Sequence, residues 1–129
     1  MKKGLIRVLV VEPGKAPYEK SVENKPETWK ELVGGQYESS AFPESKQIGG
    51  LFYHNANSKG GWFKGNRCLD YGDGHKDMIF GTFVIFGFDY NGMCASSLTP
   101  EQMSYYMSRF AEPEVYESRE QIEQLLAKN

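Results

Sequence analysis

The chain is expected to fold as a single α+β domain over residues 1–129, a mainly antiparallel sheet with two or three short helices packed on it. Three features carry that expectation. The run from Met78 to Phe86 is almost wholly apolar, β-branched and aromatic, yet too short for a membrane span, so it reads as one buried central strand. Short alternating segments bounded by Pro-Gly, Gly-Gly and Asn-Gly surround it, as antiparallel neighbours would. Toward the C-terminus, two capping signatures open amphipathic stretches.

In chain order, Leu5 to Val11 is valine-rich and stopped by Pro13-Gly14, which predicts a strand, and Tyr18 to Val22 alternates as its hairpin partner. Pro26 suits the first turn of a helix; Trp29, Leu32 and Val33 recur at helical spacing, and Gly34 supplies a left-handed cap. Gln36 to Ser40 reads as a short strand, followed by an irregular segment from Phe42 through Gly49-Gly50. Leu51 to Asn55 is strand-like, and Asn57 to Gly61 is read as a turn into Trp62-Phe63, a second hairpin. Within the central run, Gly81 predicts a bulge or a close approach by a backbone or ligand. Asn91-Gly92 predicts a two-residue hairpin turn returning Met93 to Ser96. Thr99-Pro100-Glu101-Gln102 combines cap, first-turn proline and capping box, with Leu98 set to staple to Met103; Met103, Tyr106, Met107 and Phe110 form the buried stripe, and Pro113 ends it. Ser118 to Gln121 repeats the capping box before a last amphipathic helix over 118–127 carrying Ile122, Leu125 and Leu126.

Composition narrows the function. A net charge of -2 and a sequence pI near 5.7 supply no overall field toward bulk nucleic acid or an anionic membrane, so any anion site must be local. Cys68 and Cys94 lack Cys-x-x-Cys grouping, which argues against a zinc ribbon, a redox motif or a disulfide framework and predicts buried reduced thiols. Met1-Lys2-Lys3 and the apolar residues after it mimic a signal peptide, but Arg7 splits the run and Glu12-Pro13-Gly14 ends it without a cleavage site; a cytoplasmic protein is expected.

Several motifs in fixed order carry a family resemblance. They are Val8 to Lys15, Leu32-Val33-Gly34-Gly35, Asn55 with Lys59-Gly60, Asn66-Arg67, Ile79 with Gly81-Thr82-Phe83, and Ser97-Leu98-Thr99 through Phe110. Together, over roughly residues 5–110, the chain resembles the uncharacterised family called domain of unknown function 3846. It departs from the family at Phe52-Tyr53-His54, where similar sequences carry a smaller, cysteine-containing run. The resemblance implies a setting in bacteriophages and mobile elements of bacteria, and it supplies no catalytic residues.

The candidate site therefore rests on the residues themselves. Arg67 beside Asn66 offers a guanidinium that forks onto phosphate or carboxylate, or else pairs with Asp70, Asp73 or Asp77 in a turn. Thr82 can present a hydroxyl beside the strand glycine. Tyr37, Tyr53, Trp62, Phe63 and Tyr71, interleaved with Lys59, Lys64 and Arg67, have the composition of a pocket that stacks a base and holds its phosphates. Glu12 to Lys15 sits at a strand end, and Gly34-Gly35 either offers backbone amides to an anion or serves as a helix cap.

Catalytic signatures are sparse. His54 and His75 lack metal-ligand spacing, the acidic stretch Asp70 to Asp77 lacks the pattern of a calcium loop, and there is no serine elbow, phosphate loop or dinucleotide fingerprint. No metal and no cofactor are expected. The sequence reading is thus a non-enzymatic phage or mobile-element accessory protein, an anti-defence binding protein that sequesters a small phosphorylated, nucleotide-type signal. Two alternatives stand beside it. One is an interaction module that inhibits a bacterial host enzyme or defence complex, with homo-oligomerisation through a shared apolar patch. The other is a small nucleotide hydrolase with Asp70, Asp73, Asp77 or His75 as acid or base. Separately, Cys68 with His75 or His54 offers a nucleophile pair if the fold brings them together.

Overall fold

The structure, a computed structural model, describes residues 4–60 and 62–127. The charged start at Met1-Lys2-Lys3 and Gly61 of the expected turn lie outside the described residues. The strands are β1 Leu5–Val11, β2 Tyr18–Glu23, β3 Tyr37–Ala41, β4 Leu51–Asn55, β5 Gly65–Asp70, β6 Lys76–Phe80, β7 Phe83–Asp89 and β8 Cys94–Ser96. Four helices accompany them: α1 Pro26–Val33, the single turn α2 Ser45–Ile48, α3 Pro100–Arg109 and α4 Arg119–Ala127. The expected α+β class, with an antiparallel sheet, is the observed one.

A six-stranded sheet runs in the order β2-β1-β7-β4-β3, with β8 added to β7, and every pairing is antiparallel. Strand β7 is central, pairing Ile85 with Leu9 on one side and with Phe52 on the other. Both its faces are covered, which explains the continuous apolar run. Val8, Val10, Val84 and Phe86 face α1, where Trp29 and Val33 pack on them. Leu9, Val11, Phe83 and Ile85 face the opposite layer, built from Met103 and Tyr106 of α3, from its C-cap Phe110, and from Leu69 and Ile79 of a β5-β6 ribbon. The outer face of that ribbon, Met78 and Phe80, is covered by Ile122 of α4.

One expectation fails at the centre. Met78 to Phe86 is not one strand: β6 belongs to the ribbon and β7 to the main sheet. Gly81 makes the corner between them, with φ +74, and the Phe63 ring lies where a Cβ would come within 2.7 Å of it. The glycine therefore marks a change of sheet and a close side-chain contact, not a bulge. The second hairpin also fails. Strand β4 already has β3 and β7 on its two edges, leaving none for Trp62-Phe63, and the chain instead forms a 3₁₀ turn at Ser58–Gly60. The β7-β8 hairpin forms, but its turn spans 90–93, with positive φ at Met93 instead of at Asn91-Gly92. Asp89 Oδ1 accepts from the Asn91 amide and shapes that turn.

The helices follow their signals. Gly34 caps α1 in the left-handed conformation, with φ 81 and ψ 30. The Thr99 and Gln102 side chains close the full capping box of α3. At α4 the Gln121 amide donates to Ser118 Oγ, while its side chain accepts from the Glu117 amide instead of from Ser118. Both thiols are free; Cys68 is half-buried and Cys94 is exposed in β8, since Ala95 is the residue β8 turns inward.

Candidate functional site

The structure distributes the sequence-derived candidates over several places. Asn66 and Arg67 lie in β5 and are buried, Arg67 with 1% exposure. Asn66 Nδ2 donates to the carbonyls of Val11 (2.9 Å) and Gly81 (2.8 Å), and its Oδ1 accepts from Arg67. The Arg67 guanidinium donates to the carbonyls of Lys15 (2.9 Å) and Phe110 (2.7 Å), while Nε is buried without a partner. Burial lowers its pKa, opposed by Glu114 and Tyr116 nearby. Its donors thus tie the β1-β2 loop and the end of α3 to the ribbon, and neither a solvent-facing fork nor a turn ion pair with Asp70, Asp73 or Asp77 forms. Thr82 is half-buried at the corner beside Gly81.

Tyr37 and Tyr53 belong to the α1 face. Tyr53 stacks on Phe86 at 4.1 Å and lies 4.8 Å from Trp29 and 5.0 Å from Tyr37, ring centre to ring centre. The amides of Gly34 and Gly35 both donate to the Lys30 carbonyl, so the cap role uses both. Glu12 accepts from Tyr18 and pairs with Lys15; the Tyr18 hydroxyl and these lysine contacts outweigh its burial and hold its carboxyl below the usual range.

Lys59 and Tyr71 line a cleft of about 290 Å³ between the β3-β4 edge and the ribbon. Lys59 Nζ pairs with Asp77 at 2.9 Å, and Tyr71 stacks on His75 at 4.6 Å. His54 enters the same cleft with Nε2 2.8 Å from Ser40 Oγ. Asp70 and Asp73 accept from the amides of Gly72 and His75 and so cap their own turn. Neither histidine has Cys68 as a partner: the Cys68 amide donates to Glu114, and burial pushes its thiol pKa up. Among the described residues no group of three or more His, Cys, Asp or Glu is arranged to hold a metal ion. No helix of the described residues is long and apolar enough to cross a membrane.

Trp62 and Lys64 come together in a different place, a cleft of about 540 Å³. One wall is Pro13, Gly14 and the segment Trp62 to Gly65; the other is the segment from Glu114 to Arg119 with Ile122. The Trp62 indole is fully exposed at 101%, and Val115 across the cleft is 75% exposed. The Lys64 ammonium has no partner among the described residues. The second wall is built by side chains. Glu114 accepts from the Cys68 amide and the Tyr116 hydroxyl, and burial together with that bond raises the Tyr116 pKa. Arg119 stands over the Phe80 ring at 4.2 Å and donates to the Lys59 carbonyl at 2.9 Å. Sequence reasoning found Trp62 and Lys64 but missed Glu114, Val115 and Tyr116. The signal available there was an aperiodic stretch after Pro113 that carries an unexplained valine.

The family model described as Domain of unknown function (DUF3846) matches residues 6–111. The chain belongs to that family. Searches of curated proteins and of solved structures each find no match. Set against the family domain, the cleft is composite: Trp62 and Lys64 lie inside the matched residues, whereas Glu114 to Ile122 lie after them.

Proposed function

We propose that the protein is a non-catalytic binding protein that takes a small phosphorylated, nucleotide-type ligand in the Trp62 cleft. Its biological role on this reading is sequestration of a bacterial defence signal by a phage or mobile-element accessory protein. The observation that carries the reading is the bare indole of Trp62 in the same cleft as the Lys64 ammonium, which has no partner among the described residues. Covering roughly 200 Å² of aromatic surface returns about 5 kcal/mol at ~25 cal/mol per Å², before the costs of association. A base stacked on an aromatic side chain contributes about 1–3 kcal/mol of that, and an ammonium serves as a point charge for phosphate. The cleft volume lies within the range of small-ligand pockets. Binding is favoured over hydrolysis because Asp70 and Asp73 cap their own turn and Asp77 is paired with Lys59, away from this cleft.

Titration calorimetry against a panel of linear and cyclic nucleotides tests this. Trp62→Ala is expected to weaken binding on the order of 10- to 100-fold with an unchanged melting temperature, since the indole touches solvent and not the core. Unchanged affinity in that variant would remove the cleft from the account. A second reading, a bacterial host or defence protein as partner, is supported by Val115, which is exposed and lines the same cleft as the exposed Trp62, so that two bare apolar side chains are available to a protein partner. Pull-down of a host protein by wild type and not by Trp62→Ala, without nucleotide binding, would select it.

A further inference from the structure

The two edges of the main sheet differ. Edge strand β2 carries Glu19, Lys20 and Glu23, charges of the kind that keep an edge from pairing with another chain. Edge strand β3, Tyr-Glu-Ser-Ser-Ala, carries the single charge of Glu38, and Glu38, Ser39 and Ala41 are exposed. We infer that β3 is a homodimerisation edge, on which a second copy of this chain adds its own β3 antiparallel about a two-fold axis through Ser39.

The register follows from geometry and charge. A two-fold axis normal to the sheet leaves each face on its own side, so residues of one face meet residues of the same face. Centring on Glu38 sets two carboxylates directly opposite, which is unfavourable. Centring on Ser40 sets Glu38 against Phe42, which is buried in the core and lies beyond the strand. Centring on Ser39 pairs Tyr37 with Ala41 and Glu38 with Ser40, and it uses the whole strand. In that register each Glu38 faces the Ser40 hydroxyl of the other copy, the hydroxyl whose oxygen lies 2.8 Å from His54 Nε2. Within one chain Glu38 is already opposite His54 across β4, so the carboxylates, hydroxyls and imidazoles of both copies form one alternating band across the seam. The contact is self-complementary and closes after two copies.

Native mass spectrometry and sedimentation of the full chain test the inference. Wild type is expected to be a dimer. Ser39→Lys and Ser39→Glu place like charges on the axis, and each alone is expected to be a folded monomer with the circular-dichroism spectrum of wild type, because Ser39 is exposed in the single chain; the melting temperature falls only by what association contributes. Mixed in equal amounts, the two variants are expected to recover a dimer containing one of each. A monomeric wild type, dimers that persist in both single variants, or a mixture that stays monomeric would overturn the proposal.

Discussion

Arg67 directs its donors inward, and the consequences belong to single atoms. Its guanidinium joins the carbonyls of Lys15 and Phe110, residues far apart in sequence, and it also donates to the side chain of the neighbouring Asn66. Removing it leaves several buried acceptors unpaired, each worth about 1–3 kcal/mol. Arg67→Ala is therefore expected to destabilise the fold by about 3 kcal/mol or more in urea unfolding, and an unaltered midpoint would contradict the role given to it here. The local sequence could not disclose this. Asn66-Arg67 looks identical whether it faces water or the carbonyls of distant loops, because the convergence of those loops is a tertiary property. Trp62 is a second case: the sequence groups it with candidate pocket aromatics but sets it in a hairpin strand, and its full exposure goes with β4 having both edges already occupied.

Several elements whose signals are local were read correctly, although the Asn91-Gly92 turn and the capping box of α4 form differently from expectation. The capping box of α3, the glycine cap of α1 and the β1-β2 hairpin each depend on residues within a few positions of one another. Elements defined by distant partners were misread. A continuous apolar run is compatible with one strand or with two strands in different sheets, and only the partners of Phe80 and Phe83 separate those cases. The corner at Gly81 has its own prediction. Gly81→Ala meets both the positive φ and the Phe63 ring, so a loss of about 1–3 kcal/mol is expected, measurable as a fall in melting temperature. If the variant melts like wild type, the corner is not the rigid joint described above.

Across the whole molecule, the layers are held in register by contacts between α3 and the irregular segment before β4. Glu44 accepts from Arg109 and from the Tyr105 hydroxyl, and the Tyr106 hydroxyl donates to the Gly49 carbonyl at 2.6 Å. Burial pushes the Glu44 carboxyl up, but the bonds from Arg109 and Tyr105 outweigh it and hold the pKa below its ordinary value of 4.5. A group depressed in the folded state contributes stability above its unfolded pKa and loses it as pH falls through the folded value. Glu44→Gln is accordingly expected to lower the melting temperature at neutral pH, with the difference from wild type closing below about pH 4.5. A pH-independent difference would show that ionisation of Glu44 is not what holds this joint. The cleft belongs to the same scale, since one wall comes from the family domain and the other from the segment after it. The most direct measurement of its role is native mass spectrometry of the purified protein after incubation with nucleotides and with extracts of infected bacterial cells. The account predicts a retained small phosphorylated molecule, released chemically intact on denaturation and lost in Trp62→Ala. No retained molecule, or one released in altered form, would contradict it.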